Sequence, residues 1–400
     1  MNANTPVELK EALQVETTRQ FCVVRFRRRL PQLFAGGYDA QIHRWSLQGE
    51  KPEPLAPLDG HHGWVQSLTI DPEQDRLYSA DSWGGLHAWQ LTDGDPQPAW
   101  HHDQAHDGWI RCVALSADGQ MLATAGRDRR VRLWNTKDGQ LLQELPDHGT
   151  LALPEEKPSN QKADQAATET TNASSLSTTT SSTDTTDTKD AGRVLREENE
   201  VFAVAIHPQG QTLVTADLHG TVRVWDRAAG KLIGQRHFAA LHMHERLQDV
   251  PGVRVLRFHD GGNALICAGG EPKNTGTVQA VPVLHLLAWP SLESSRTFHL
   301  GEINDGFVFD LAWHNAGYWA LVLNGTPGQG KLLLLRPGDE KPCFSSNKMS
   351  NCQSVDIDQA GRIVVSATNR NSQGNGAVRD KDGNYLGNSS PLYLFQSPTA

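Results

Sequence analysis

Short apolar runs alternate with polar turns between residues 105 and 135. The run Ile110–Leu115 is apolar except for one arginine, as in a mostly buried strand, and the turn-forming sequence Ser-Ala-Asp-Gly follows it. A second apolar run covers 121–125, and a third covers 131–134 after a tight turn. This pattern predicts three short antiparallel strands joined by hairpin turns.

Four polar or aromatic residues in this stretch are spaced so that short hairpins would bring their side chains together. In the expected arrangement Asp128 accepts a hydrogen bond from His106, and the same histidine reaches the hydroxyl of Thr124. That hydroxyl in turn accepts from the indole N–H of Trp134. Burial would otherwise leave each of these groups unpaired, so the network is predicted to stabilise the three-stranded unit.

This stretch resembles a WD repeat of the G-protein β-subunit-like propellers, and the tryptophans recur at about the 40–45-residue period of such a repeat. The first repeat has Ala35 at the hydroxyl position, and the second has Trp83 at the Asp position. In the repeat at 201–226, His219 takes the Asp position. The resemblance predicts a structural network formed by Asp39, Trp45, His61, Ser79, Trp89, His106, Thr124, Asp128, Trp134, Thr215, His219 and Trp225.

The strand–turn–strand rhythm continues to the C-terminus, with Trp289, Leu335 and Phe395 at the tryptophan position. The fold class predicted is all-β, a seven-bladed β-propeller of four-stranded antiparallel blades, with six or eight blades as alternatives. The seventh blade ends on its third strand, so the N-terminal segment 9–15 is expected to add the fourth and close the ring.

Few large apolar residues occur between about 153 and 190, where Thr and Ser dominate. We expect a disordered insert there, in the turn that leads into the fourth blade. The predicted organisation is an N-terminal segment 1–20, blades one to three with the start of blade four at 21–149, the insert at 150–192, and blades four to seven at 193–400.

Two positions recur from repeat to repeat, one just after the histidine-bearing turn and one just before the Asp position. Similar propellers place both positions on one rim around the central channel. Aromatic and arginine side chains are enriched in binding hot spots, so this rim is the expected partner site. The alternative is that the tryptophans cap the blades and that the arginine forms a surface ion pair. The candidate rim residues are Tyr38, Trp64, Ser82, Trp109, Arg127 and Leu218.

Two chemical interpretations compete with a purely structural one. The His–Thr–Asp set could imitate a hydrolase triad, but it repeats in partial form, which a catalytic site has no reason to do. His242 and His244, with Glu245 beside them, could bind a metal. No further ligand at a fixed spacing completes the set, so neither a metal nor a cofactor is predicted.

The 400 residues carry a formal net charge of −9 and no basic stripe, which argues against nucleic acid and membranes as partners. The N-terminus does not resemble a secretory signal, and no CxxC pair occurs among the five cysteines. Cys22, Cys112 and Cys267 fall in apolar strand patterns and are predicted as small core residues. We expect a cytoplasmic protein without disulfides.

The function favoured is a non-enzymatic scaffold that binds an unidentified protein or peptide on the rim. The alternative is a propeller enzyme or a ligand or metal sensor with its site in the central channel. A third interpretation places the partner on the outer edges of blades five to seven.

Overall fold

The computed structural model describes residues 7–148, 199–245, 248–274, 279–325, 328–368, 381–383 and 389–396. They form seven four-stranded antiparallel sheets and one two-stranded hairpin. The prediction of an all-β, seven-bladed propeller is therefore confirmed. The expected disordered insert at 150–192 lies outside the described residues, since the description stops at His148 and resumes at Asn199.

The first half of the propeller contains the closing strand and three complete blades. The strands are β1 (Glu11–Val15), β2 (Phe21–Arg27), β3 (Gln32–Gly37), β4 (Ile42–Ser46), β5 (Glu53–Leu58), β6 (Val65–Asp71), β7 (Arg76–Asp81), β8 (Leu86–Gln90), β9 (Gln97–His102), β10 (Ile110–Leu115), β11 (Met121–Gly126), β12 (Val131–Asn135) and β13 (Leu141–Glu144). Blade 1 is β2–β5, blade 2 is β6–β9 and blade 3 is β10–β13, with the first-named strand lining the channel.

Blades 4 to 7 follow the same order from the channel outward. The strands are β14 (Val201–Ile206), β15 (Thr212–Asp217), β16 (Thr221–Asp226), β17 (Lys231–His237), β18 (His242–Glu245), β19 (Gln248–Pro251), β20 (Val253–His259), β21 (Ala264–Asn274), β22 (Gln279–Ala288), β23 (Ser294–His299), β24 (Phe307–His314), β25 (Tyr318–Asn324), β26 (Gln329–Leu335), β27 (Phe344–Ser350), β28 (Cys352–Ile357), β29 (Ile363–Ala367) and β30 (Leu392–Phe395). Short 3₁₀ turns cover Ala239–Leu241, Asp260–Gly262 and Ile303–Asp305.

The ring closes through the N-terminal strand. Blade 7 has the order β28, β29, β30, β1 from the channel outward, and Val15 pairs with Leu392 in antiparallel register. The predicted closing strand is thereby confirmed. It covers the edge of β30, which would otherwise expose unpaired backbone groups.

The hydrophobic core is divided among the interfaces between neighbouring blades. One cluster joins blade 3 to blade 4 and contains the fully buried Trp225. Another joins blade 7 to blade 1, where Phe21 and Trp45 pack with Leu392. Because each sheet buries both faces in this way, the seven blades stabilise one another around the ring.

Antiparallel pairing defines two faces of the propeller. The face at which each inner strand begins also carries the turns from the second to the third strand of each blade. We call it the entry face, and the face with the turns from the first to the second strand the exit face. The hairpin β18–β19 lies on the entry face, since it connects the end of β17 to the start of β20.

All five cysteines are free thiols. Cys267 is fully buried in the core, as predicted. Cys22 and Cys112 are only half-buried, which corrects the prediction that they lie inside the core, although Cys112 packs against the cluster between blades 3 and 4. Each lies on an inner strand, where the central channel leaves part of the surface open. No helix in the described part of the chain is long and apolar enough to cross a membrane.

Candidate functional site

Blade 3 contains the complete four-residue network. The indole Nε1 of Trp134 donates to Thr124 Oγ1 at 2.9 Å, and His106 Nε2 lies 2.7 Å from the same oxygen. His106 Nδ1 lies 2.8 Å from Asp128 Oδ1, and Arg132 donates to the other carboxylate oxygen. Burial alone would raise the pKa of Asp128, but the hydrogen bond and charge of His106 outweigh it, so the pKa is well below its usual range.

Blade 2 forms the same network with a carboxylate that the sequence alignment missed. His61 bridges Ser79 Oγ and Asp81 Oδ2, each at 2.7 Å, and Trp89 Nε1 donates to Ser79 Oγ at 3.1 Å. The carboxylate comes from Asp81, two residues after the hydroxyl, and not from position 83. Residues two apart on a strand project to the same side, so an Asp at this position also reaches the histidine.

Blade 4 builds its network from both sides of the segment 149–198. His148 Nε2 lies 2.9 Å from Thr215 Oγ1, which also accepts from Trp225 Nε1 at 2.9 Å. Asn199 donates to Asp217 Oδ2 at 3.0 Å and to the main-chain oxygen of His148 at 3.2 Å. Asp217 also accepts from the buried guanidinium of Arg223.

His219 was placed at the carboxylate position of this blade from the sequence. Its side chain has no bond to the network: only its backbone N–H donates, to Asp217 Oδ1. Asp217, two residues after the hydroxyl of Thr215, occupies the place that Asp81 has in blade 2. The repeats of blades 2 and 4 each contain an Asp two residues after the hydroxyl residue, and this spacing was the signal that the sequence offered.

The remaining blades keep only parts of the network. In blade 1 Asp39 is 2.9 Å from His43 Nε2, and Trp45 packs edge-on against Phe21. In blades 6 and 7 apolar residues, Leu321 and Val365, take the place of the hydroxyl residue. These two blades therefore depend on apolar packing more than on polar pairing.

The rim positions inferred from the sequence occupy equivalent places in the first four blades. The first residue after each second strand donates its backbone N–H to the residue that precedes the inner strand. These bonds run from Tyr38 to Gln20 (3.1 Å), Ser82 to Trp64 (3.0 Å), Arg127 to Trp109 (2.8 Å) and Leu218 to Glu200 (2.8 Å). All eight residues thus belong to turns on the entry face.

The rim residues differ in what they present to solvent. Tyr38 and Trp64 are 38% and 42% exposed, and their rings meet edge to face at 4.7 Å. Trp64 meets Trp109 at 5.7 Å, which continues the aromatic row. Ser82 and Leu218 are buried, so their side chains take no part in this exposed surface.

Arg127 lies beside the aromatic row and forms an ion pair on this face. Its Nε lies 3.3 Å from Glu200, and its side chain is 63% exposed. The surface pairing considered from the sequence is therefore present, and most of the guanidinium is still accessible.

A ring of seven residues at the entry mouth of the channel was not identified from the sequence. Every inner strand has a register irregularity at or near its second residue, and a β-bulge of this kind redirects a side chain. All seven side chains are half-buried. This mouth ring consists of Cys22, Gln66, Arg111, Phe202, Arg254, Phe309 and Gln353.

The mouth ring extends the aromatic row of the rim. The guanidinium of Arg111 lies 4.1 Å from the ring centre of Trp109 and 5.0 Å from that of Phe202. Arg254 follows at 5.5 Å from Phe202 and 5.5 Å from Phe309. Arginines and aromatic rings therefore alternate across the entry mouth.

The two arginines of the mouth ring differ in how their charge is compensated. Arg111 pairs with Glu200 at 2.7 Å, whereas Arg254 has a buried Nε without a hydrogen-bond partner among the described residues. Burial, and secondly the positive charge of Arg111, lower the pKa of Arg254 to about 10. An anionic group placed at this mouth would relieve both effects.

A cavity of about 780 Å³ occupies the central channel and is lined from the inner strands to the exit-face turns. At its wall Arg25 donates to Asp310 at 3.1 Å and to Ser354 at 2.8 Å. Trp313, at the exit side, is 42% exposed and meets His259 at 4.5 Å. The cavity and the rim residues thus lie toward opposite ends of the channel.

The histidines considered for metal binding lie on the hairpin of the entry face. Asp249 Oδ1 is 2.7 Å from His242 Nε2 and 3.1 Å from His244 Nδ1. Asp249, on the opposite strand of the hairpin, is the partner that the sequence spacing did not reveal.

Comparisons with known proteins agree with this architecture. The family model described as WD domain, G-beta repeat matches residues 100–135 and 192–226. The chain is 25% identical over 221 residues to NACHT domain- and WD repeat-containing protein 1 of Homo sapiens, covering 54% of this chain and 14% of that protein. It is 30% identical over 129 residues to apoptotic protease-activating factor 1 of Rattus norvegicus, covering 32% of this chain and 9% of that protein.

The resemblance to the WD-repeat family is confirmed by these matches together with the seven-bladed fold. The protein is a seven-bladed propeller, and two stretches of its chain match the WD-repeat model. The chain spans only a small part of the length of the two relatives, so their similarity to it is confined to this part.

Proposed function

We propose that this propeller is a non-enzymatic scaffold that binds a protein or peptide on its entry face. The observation that carries the proposal is the row of aromatic rings from Tyr38 across Trp64 to Trp109, which continues into the mouth ring through Arg111 and Arg254. Side chains of these types supply most of the binding energy in many interfaces when they lie at the centre of a buried patch.

The charge of the entry mouth indicates the chemistry of the partner. Arg254 lacks a hydrogen-bonded acid among the described residues, and the guanidinium of Arg127 is largely exposed. The proposed partner therefore presents an acidic side chain beside an aromatic or apolar one. The acidic group would pair with Arg254, and the apolar group would cover Trp64.

The polar networks support a non-catalytic role. Thr124 and Ser79 are completely buried, and their histidines are almost so. A substrate cannot approach a hydroxyl in this position, so the sets act by satisfying buried donors and acceptors. The free state of all five cysteines agrees with a reducing compartment, and we propose a cytoplasmic location, testable by imaging a fluorescent fusion.

The proposal is tested by affinity capture from native lysate followed by mass spectrometry. The rim variant carries Trp64→Ala, Trp109→Ala and Arg127→Glu. The matched control is Trp313→Ala, because this tryptophan is as exposed as Trp64 but lies at the other end of the channel. We expect the proteins captured by wild type and by the control to be lost with the rim variant.

Circular dichroism and a thermal melt first establish that all three proteins fold. Retention of every specific partner by the folded rim variant would contradict the proposal. Partner loss with Trp313→Ala instead would move the binding site to the exit face.

The channel cavity supports a second candidate, a small-ligand site. Its wall includes the half-buried carboxyl of Asp356, whose pKa is raised by desolvation against the lowering effect of Arg25. Native mass spectrometry of protein purified without denaturation tests this candidate. A stoichiometric small molecule that is lost when Arg257, which also lines the cavity, is replaced by Ala (Arg257→Ala) would support it. Ligand-free protein would count against it.

A further inference from the structure

Four side chains converge between blade 4 and the hairpin β18–β19 on the entry face. One ligand atom each from His219, His242 and Asp249 lies within 4.8 Å of the other two. His244 approaches the same carboxylate oxygen, with its Nδ1 at 3.1 Å from Asp249 Oδ1. Two imidazoles and one carboxylate thus lie together from two separate turns of the chain, and a third imidazole, that of His244, contacts the carboxylate.

The buried member of this group has an unfilled bonding position. His219 is only 6% exposed, and its Nε2 has no hydrogen-bond partner among the described residues. Its ring packs edge-on against that of His242, with the ring centres 5.0 Å apart. A buried imidazole nitrogen without a partner is costly, because folding removes its water and returns no bond.

We propose that His219, His242, His244 and Asp249 form a zinc site. Imidazole nitrogens and a carboxylate oxygen are ligands that Zn²⁺ accepts in a tetrahedral arrangement. Zinc–nitrogen bonds of about 2.0–2.1 Å require neighbouring ligand atoms roughly 3.3 Å apart. The hairpin supplies three of the four proposed ligands, and His219 supplies the fourth from blade 4.

The position of the site indicates how a bound metal would affect the structure. His219 belongs to blade 4, in the turn that contains the rim residue Leu218, whereas the other three ligands belong to the hairpin. A shared ion would therefore join the hairpin to the blade and hold it beside the rim. This inference concerns a different site from the proposed partner-binding row and does not depend on it.

The test is titration of the full chain, stripped of metal with a chelator, with Zn²⁺ in a calorimeter and with Co²⁺ in a spectrophotometer. We expect one ion per chain, the intense visible bands of tetrahedral Co²⁺, and a higher thermal midpoint in zinc. Replacing His242 by Ala (His242→Ala) should weaken zinc binding at least 10-fold. Asp249→Asn should do the same, although it keeps an oxygen that can accept hydrogen bonds.

The matched control is His43→Ala. His43 also pairs with a carboxylate, Asp39, at 2.9 Å, but the pair belongs to no three-ligand group in the described part of the chain. The control should bind zinc as wild type does. Wild-type affinity in His242→Ala, or no stoichiometric binding at micromolar zinc, would overturn the proposal.

Discussion

The side-chain amide of Asn199 donates to the main-chain oxygen of His148 at 3.2 Å, so that two residues 51 positions apart in sequence are in direct contact. Both belong to the buried network of blade 4, in which His148 Nε2 lies 2.9 Å from Thr215 Oγ1. The blade is therefore completed by residues from both sides of the segment 149–198.

This contact predicts that most of that segment is dispensable for folding. Replacing residues 151–196 by a short Gly-Ser linker should leave the unfolding transition cooperative. Stability should rise by roughly 2 kcal/mol, since each halving of a loop recovers about 0.6 kcal/mol of closure entropy. Urea denaturation followed by tryptophan fluorescence measures the change. A loss of the cooperative transition would show that the segment itself supports blade 4.

The burial of His148 predicts that stability falls in mild acid. Burial, and secondly the charge of Arg223, lower the pKa of His148 from 6.5 to about 3. The unfolded chain takes up a proton below pH 6.5 while the folded chain does not, so stability present above pH 6.5 is lost as the pH falls toward 3. Between pH 6.5 and 5 this one histidine should cost about 2 kcal/mol.

The measurement is the free energy of unfolding at pH 7.5 and at pH 5.0, in wild type and in His148→Gln. The variant should be less stable at pH 7.5 but lose about 2 kcal/mol less on acidification. Equal losses in the two proteins would show that His148 does not titrate as its burial requires.

The networks predict that buried hydroxyls with and without hydrogen-bond partners differ greatly in their importance for stability. Thr124→Val keeps the shape but leaves the indole of Trp134 and the imidazole of His106 without their shared partner. It should lower the free energy of unfolding by about 2–4 kcal/mol. Ser366→Ala removes a buried hydroxyl of blade 7 that lies one residue beyond the position aligned with Thr124 and has no partner among the described residues.

That second change should leave stability within about 0.5 kcal/mol of wild type, or raise it slightly. Urea unfolding of the two variants gives the comparison directly. Similar losses in both would indicate that the hydroxyl contributes by packing and not through its hydrogen bonds.

We expect one residue of the mouth ring, Arg254, to contribute to partner binding but not to the stability of the fold. Arg254→Met removes a half-buried cation that lacks a hydrogen-bonded acid in the described chain. The sulfur of the introduced methionine can pack on the same aromatic rings. The variant should be at least as stable as wild type, by up to about 1 kcal/mol, and should lose partner capture.

Arg111→Met is the matched comparison, because it breaks the ion pair with Glu200 and should lower stability. Chemical denaturation measures both variants. If Arg254→Met were clearly less stable than wild type while still capturing partners, Arg254 would be a packing residue and not part of the binding site.

The sequence alone determined the repeat, the strand order within a blade and the complete network of blade 3. All four members of that network lie within one contiguous stretch, so their spacing along the chain predicts their contacts. The closing of the ring by the N-terminal strand was also predictable, because an unpaired edge in blade 7 requires a partner.

Only the tertiary structure decided two kinds of contact: those between residues of different repeats, and those made by a residue at a spacing other than the expected one. Asp81 and Asp217 take the place of the expected carboxylate, because side chains two residues apart on a strand point to the same face of the sheet. The mouth ring depends on a bulge in each inner strand, which the pattern of apolar residues does not reveal.

The cluster around Asp249 needed the fold for the same reason. Its ligands come from a turn of blade 4 and from a hairpin in the connection to blade 5. Periodicity along a chain records which face a residue occupies within its own element. The meeting of residues from separate elements is set by how those elements pack around the ring.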